Sequence, residues 1–195
     1  MTLPDDYFDR MYAADSDPWG FASRWYEQRK YALTMAVLPS PAYDRGLEIG
    51  CSIGVFTAAL ATRCTTLVAL DPSPAALSAA RTRVPSSVHL VQGAVPDQWP
   101  PGSYDLVVLS EVGYYLDGAD LERLLDLVDR DLARGGTVVA CHWRHPVGDY
   151  PLTGDQVHAA LARWPRLSRV EEEDFLLDVL TPGGAVSVAR REGLL

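Results

Sequence analysis

The stretch Leu47–Thr57, LEIGCSIGVFT, decides how the rest of the chain is read. It opens as an apolar strand, turns on Gly50 and continues as a helix after Gly54. A dinucleotide-binding turn would read G-x-G-x-x-G, with a middle glycine that lets the backbone approach a pyrophosphate. Ser52 stands in the middle position, and its Cβ obstructs that approach. A nicotinamide dinucleotide is therefore disfavoured. The next strand ends at Asp71, 21 residues after Gly50, where a carboxylate accepts hydrogen bonds from ribose hydroxyls. Glu48, just before the turn, adds negative charge that opposes phosphate and suits a cation. The site thus offers a ribose clamp without a phosphate cradle.

Outward from this stretch, strand and helix patterns alternate. "RGLEIG", "TLVALD", "VHLVQG", "SYDLVVLS" and "TVVACHW" read as strands. Between them, "VFTAALATRC", "SPAALSAARTRV" and "GADLERLLDLVDRDL" read as helices, the second with Ser73 as N-cap and Pro74 in its first turn. The third is expected to end at Gly135–Gly136. "TGDQVHAALARW" reads as a short helix, and Asp155 as a helix-start residue. "SRVEEEDFLLDVLTPGGAVSVARRE" reads as two antiparallel strands joined at Pro182-Gly183-Gly184. At the N-terminus, Asp17–Pro39 begins with a turn signal and continues for about five helical turns. The expectation is one α/β domain with a doubly wound, mostly parallel sheet and a C-terminal antiparallel strand. Residues 42–195 would form the core and residues 1–41 a helical lid.

Bulk properties narrow the partners. The chain has 195 residues and a formal net charge of −9, which argues against nucleic acid. No apolar run is long enough for a membrane span, and the N-terminus lacks a signal-peptide layout. Cys51, Cys64 and Cys141 read as reduced thiols, and the expected location is the cytoplasm.

S-adenosyl-L-methionine has the chemistry these residues ask for: an adenosine, no phosphate and a sulfonium. The chain resembles the class I S-adenosylmethionine-dependent methyltransferases from Asp44 to about Arg191. "LEIGCSIGVFT" and "LVALDPS" carry the resemblance, with "VQGAVPDQWPPGSYDLVVLSEV" and "LARGGTVVA". It implies a Rossmann-like fold, with S-adenosyl-L-homocysteine as the demethylated product. It also implies that Gly50 and Gly54 line the methionine moiety, Asp71 the ribose, and Ala94 and Val95 the adenine. Cys51, Phe56, Pro72, Ser110 and Glu48 complete the expected cofactor contacts. The family often has an aspartate where Ala94 stands, so Gln92, Asp97 or backbone groups must receive the adenine amino group.

Over nearly its whole length the chain is also similar to the nodulation-factor N-methyltransferases, the nodulation protein S family. "YFDRMYAADSDPWGFASRWYEQRKY", "SEVGYYL", "CHWRHP" and "LTGDQVHAAL" carry that likeness. It implies a small-molecule acceptor bearing an amine, an amino sugar, whose nitrogen is methylated. Other readings are O-methylation of a hydroxyl or carboxylate, a binding module without catalysis, and last an oxidoreductase.

Trp19, Phe21, Trp25 and Tyr26 read either as one packed helix face or as a lid, with Trp25 expected to be packed. Arg29 or Tyr26 is expected to touch the cofactor's carboxylate. Glu111, past a buried strand, reads as an amine anchor or general base, or equally as an ion-pair carboxylate. Tyr114 and Tyr115 would stack on a sugar or cover the core. His142 and His145 read as base or substrate contacts; their H-x-x-H spacing has no third ligand, so no metal is expected. His158 reads as lying on its helix's surface or packing face.

Overall fold

The structure is a computed structural model and describes residues 1–4, 6–184 and 186–195. Asp5, in the expected lid, and Ala185, in the expected last strand, lie outside the described residues. In chain order the elements are α1 (Asp6–Ala14), α2 (Trp25–Val37), β1 (Tyr43–Ile49), α3 (Val55–Leu60), β2 (Cys64–Asp71), α4 (Pro74–Ala80) and β3 (Val88–Gln92). There follow β4 (Tyr104–Ser110), α5 (Gly118–Asp131), β5 (Leu132–Trp143), α6 (Gly154–Ala160), β6 (Arg166–Glu171), β7 (Phe175–Leu180) and α7 (Val188–Arg191).

The strands form one seven-stranded sheet in the order β3-β2-β1-β4-β5-β7-β6. The first five are parallel, and β7 pairs antiparallel with both β5 and β6. This is the class I methyltransferase architecture, Rossmann-like with antiparallel strands at the C-terminus. The winding reverses between β1 and β4, so a crevice opens beyond their carboxyl ends.

Side chains alternate across the strands, so both faces are apolar. Leu47, Ile49, Val107 and Leu109 face one core with Leu121, Leu124, Leu125 and Val128 of α5. Leu67, Ala69, Leu106 and Val108 face the other, with Phe56 and Leu60 of α3. Ser73 caps α4 and Asp117 caps α5, each accepting from backbone N–H groups of the first turn. No helix among the described residues is long and apolar enough to cross a membrane.

Four expectations are corrected. Asp17–Arg24 is not helical: the Asp17 carboxylate accepts from Phe21 N (2.8 Å) and Ala22 N (3.0 Å), fixing a turn, and α2 starts only at Trp25. Trp25 is 73% exposed rather than packed, because α2 buries Glu27, Lys30 and Thr34 instead. α5 stops at Asp131, and Gly135, with φ of +79°, sits where the register of β5 shifts. The C-terminal hairpin turns at Glu172–Asp174, where Glu172 N donates to Phe175 O. The Pro-Gly-Gly segment instead leaves β7, whose fully buried run pairs on both sides. Helix α1 was not anticipated.

Candidate active site

A cavity open to solvent lies at the carboxyl ends of β1, β2 and β4. Its floor is the turn after β1. Gly50 has φ of +74°, and a Cβ there would lie 2.3 Å from Val112 Cγ2. Its N–H donates to Leu70 O, which ties the turn to β2. Ser52, with φ of +50°, adopts the left-handed conformation that a middle glycine would take freely. Two bonds hold it: its N–H donates to Asp71 Oδ2 at 2.8 Å, and its Oγ lies 2.5 Å from the Tyr12 hydroxyl.

Asp71 also accepts from Ser73 N at 2.9 Å, so each carboxylate oxygen retains a lone pair for a ribose hydroxyl. Burial pushes its carboxyl up to about 6, against the pull of the two backbone donors. Glu48 is 4% exposed and Oε2 has no hydrogen-bond partner among the described residues. Burial, with the neighbouring Asp71 charge, pushes it up to about 7.

On the far side stands Glu111, the first residue after β4, with φ of +57°. Its Oε1 accepts from Lys30 Nζ at 2.6 Å; its Oε2 accepts from the Tyr114 hydroxyl and from Trp143 N at 3.0 Å. Lys30 is 2% exposed and also pairs with Glu27 at 2.9 Å. Burial opposes the ammonium, but Glu111 and Glu27 outweigh it and raise Lys30 above its ordinary range. Two carboxylates thus share one buried cation.

The N-terminal segment closes the cavity. Phe8, Tyr12, Trp19 and Phe21 line it, as does Tyr31 of α2, which stacks on Phe56. Cys51, Phe56, Pro72, Ala94, Val95 and Ser110 line it where the sequence placed them. Gly54 does not: it abuts Ala80, where a Cβ would come within 2.9 Å of that residue's Cβ, and so lets α4 approach the turn. Of the expected adenine acceptors, Gln92 donates to Pro72 O and Asp97 pairs with Arg123.

Four other expected residues lie away from the cavity. Arg29 holds Glu172 through two bonds of 2.8 and 2.6 Å. Tyr26 packs edge-on to Trp143 and Phe175, its hydroxyl buried and without a hydrogen-bond partner among the described residues. His145 pairs with Asp174 at 2.8 Å on the surface. His142 is fully buried and meets His158 rather than the cleft. Tyr114 is buried, while Tyr115 lines the cavity. Asp155 pairs with Arg144, leaving Thr153 to cap α6.

Sequence reading missed Lys30, Glu27, Tyr12 and Tyr31. A lysine three residues after a glutamate looks like a solvated helix pair. Only its tertiary partner, 81 positions away, makes it part of the site.

Among the described lining residues the charged ones are Glu48, Asp71 and Glu111, with no cation. Such a cavity repels phosphate and suits a ligand with ribose hydroxyls and positive charge, as S-adenosyl-L-methionine has. The residues fit that cofactor.

Comparison with known proteins agrees. The family profile described as Methyltransferase domain matches residues 47–140. Nodulation protein S of Rhizobium tropici is 34% identical over 142 residues, which are 69% of this chain and 59% of that protein. The chain therefore spans less than two thirds of that relative's length. A crystal structure of a candidate methyltransferase from Pseudomonas syringae is 45% identical, with a TM-score of 0.72, over 81% of this chain and 99% of that one. The crystal structure of the N-methyltransferase NodS from Bradyrhizobium japonicum, in complex with S-adenosyl-L-homocysteine, is 27% identical with a TM-score of 0.83. It covers 92% of this chain and 98% of its own. Sheet order, the acidic cavity and relatives all point one way: the chain belongs to the class I S-adenosylmethionine-dependent methyltransferases and is similar to nodulation protein S.

Proposed function

We propose that this chain methylates the nitrogen of a small amine-bearing acceptor, an amino sugar of the glucosamine type. The observation that carries the reading is Glu111, a carboxylate at the cavity wall, facing a space whose charged lining is acidic throughout. An alkylammonium is drawn to such a wall but has no lone pair. A carboxylate beside it accepts the proton that must leave before nitrogen can attack. The similar Bradyrhizobium protein, an N-methyltransferase, supports the same chemistry.

The cofactor supplies a methyl group already activated by its sulfonium. The chain's residues do the rest. Asp71 orients the ribose, Glu48 and the Gly50 turn face the amino-acid end, and Ala94 and Val95 flank the base. Phe8, Trp19 and Phe21 exclude water, which aligns the reactants and strengthens each charge contact. In this reading residues 1–41 are the lid and 42–195 the core of one domain. Three free, buried cysteines suit a reducing compartment, which supports a cytoplasmic reaction on a small-molecule acceptor.

The test is transfer from labelled cofactor to glucosamine, N-acetylglucosamine and glucose, with the methyl position read by mass spectrometry. Methyl on nitrogen, from glucosamine alone, is expected, with a rate that climbs with pH up to the bound amine's apparent pKa. Glu111→Gln should lower kcat/KM by about 100-fold or more. Methyl on oxygen, or glucose reacting as well as glucosamine, replaces this reading with O-methylation.

A further inference from the structure

The turn that carries Glu111 is gripped by three consecutive residues of β5. Cys141 O accepts from Glu111 N at 2.8 Å, Trp143 N donates to Glu111 Oε2, and between them His142 Nε2 accepts from Gly113 N at 3.1 Å. Glu111 is in a left-handed conformation that strains a non-glycine residue, so it persists only where its surroundings impose it.

His142 does not act alone. Its Nδ1 lies 3.2 Å from His158 Nε2, and His158 Nδ1 lies 2.7 Å from Asp178 Oδ2. Asp178 is fully buried and held by Arg169 at 2.7 and 2.6 Å and by Arg166 at 2.9 Å. The donors fix the protons along this chain. Gly113 N–H can only donate, so His142 Nε2 carries no proton. A neutral His142 then has its proton on Nδ1 and donates to His158 Nε2. His158 in turn keeps its proton on Nδ1 and donates to Asp178. We infer that His142, His158 and Asp178 are positioning residues: a hydrogen-bond chain of one fixed polarity that holds the Glu111–Tyr115 turn in its reactive shape.

Supporting geometry surrounds the chain. Burial, with the neighbouring His158 and the Lys30 ammonium, holds the His142 imidazole well below its ordinary range and so neutral. Gly113 allows α6 to approach, since a Cβ there would lie 2.6 Å from Val157 Cγ1. Gly154 does the same against Trp143 O at 2.2 Å. The helix that carries His158 is thereby seated on the strand that carries His142.

The inference rests on Glu111 facing the acceptor, and its test separates the two. Imidazole nitrogen NMR of the wild-type chain should show both His142 and His158 as neutral Nδ1–H tautomers; a proton on Nε2 of either overturns it. His142→Phe, which removes the acceptor, should speed exchange of the Gly113 amide. It should also lower kcat toward glucosamine by about 100-fold, as small misplacements do, with affinity for S-adenosyl-L-homocysteine nearly unchanged. His142→Gln can accept from Gly113 and donate to His158, so it should restore most of the loss. Equal damage from both variants, or unchanged kcat and Gly113 exchange in His142→Phe, overturns the inference. If His142→Phe does not fold, the tautomers and His142→Gln decide it. If the wild type leaves glucosamine unmethylated, the proposed acceptor fails, while the tautomers and amide exchange still judge the chain.

Discussion

Among the described residues, two non-glycine residues sit at positive φ: Ser52, in the turn after β1, and Glu111, right after β4. They end neighbouring strands of the switch point and face the same cavity. Their supports differ in kind. Ser52 is held by hydrogen bonds to Asp71 and Tyr12. Glu111 is held by a buried ammonium, a phenol and two β5 backbone groups. The Ser52 turn therefore tolerates adjustment, while the Glu111 turn depends on charges that must remain paired.

The strongest way to break this comparison is Lys30→Met. It strands Glu27 and Glu111 as buried carboxylates without their cation, which costs about 3–5 kcal/mol. Thermal unfolding should show a large fall in stability. If the variant is as stable as wild type, the acidic wall does not depend on charge pairing.

Asp71→Ala acts on the other side. It should weaken S-adenosyl-L-methionine binding by about 1–3 kcal/mol, the cost of leaving hydroxyls without their partner. Calorimetry should show this loss, with NADH failing to bind either form. The Tyr12–Ser52 contact near Asp71 should survive, and tryptophan fluorescence from Trp19 would report it if it did not.

A smaller effect is expected from pH. Glu48 and Asp71 titrate at about 7 and about 6, above ordinary carboxylates, because they are buried. The folded chain therefore holds more protons than the unfolded chain. Their contribution to stability is complete below about pH 4 and is lost as pH rises through 6 and 7. A cationic cofactor favours their ionised forms. Its affinity should consequently rise by about tenfold between pH 5.5 and 7.5, and Glu48→Gln should flatten the upper part of that rise. Titration calorimetry across that range, in buffers of different ionisation enthalpy, checks both the slope and the released protons.

The smallest effect is Ser52→Gly. Glycine relieves the left-handed strain but loses the Tyr12 bond, two terms of about 1 kcal/mol and opposite sign. Unfolding should barely move, whereas amide exchange across α1 should quicken. A drop as large as that of Lys30→Met would erase the contrast between the two sides.

The elements most legible in the sequence were those whose own residues dictate them. Asp71 was placed at the end of β2, beside the cavity, because a strand, a turn and a spacing of about 20 residues mark it. The parallel strands were found because they are apolar on both faces. Ser73 capped α4 as its side-chain chemistry demands. The hairpin turn was misplaced because Pro-Gly-Gly is the stronger local turn signal. The pairing of β7 with both neighbours outweighed it.

By itself, then, the sequence determined the sheet, the glycine turn and the carboxylate that ends β2, since strand burial, capping and turn chemistry act over a few residues. Tertiary structure alone decided the buried ion pairs of Lys30 with Glu27 and Glu111 behind the cavity wall. The inward face of α2 is Glu27, Lys30 and Thr34, a stripe no apolar period can reveal. His142 reads locally as a catalytic histidine, but its partners Gly113 and His158, the latter backed by Asp178, make it a support. Burying a charge or an imidazole is favourable only when the folded chain brings distant partners to it, and those partners are chosen by the packing of helices on the sheet.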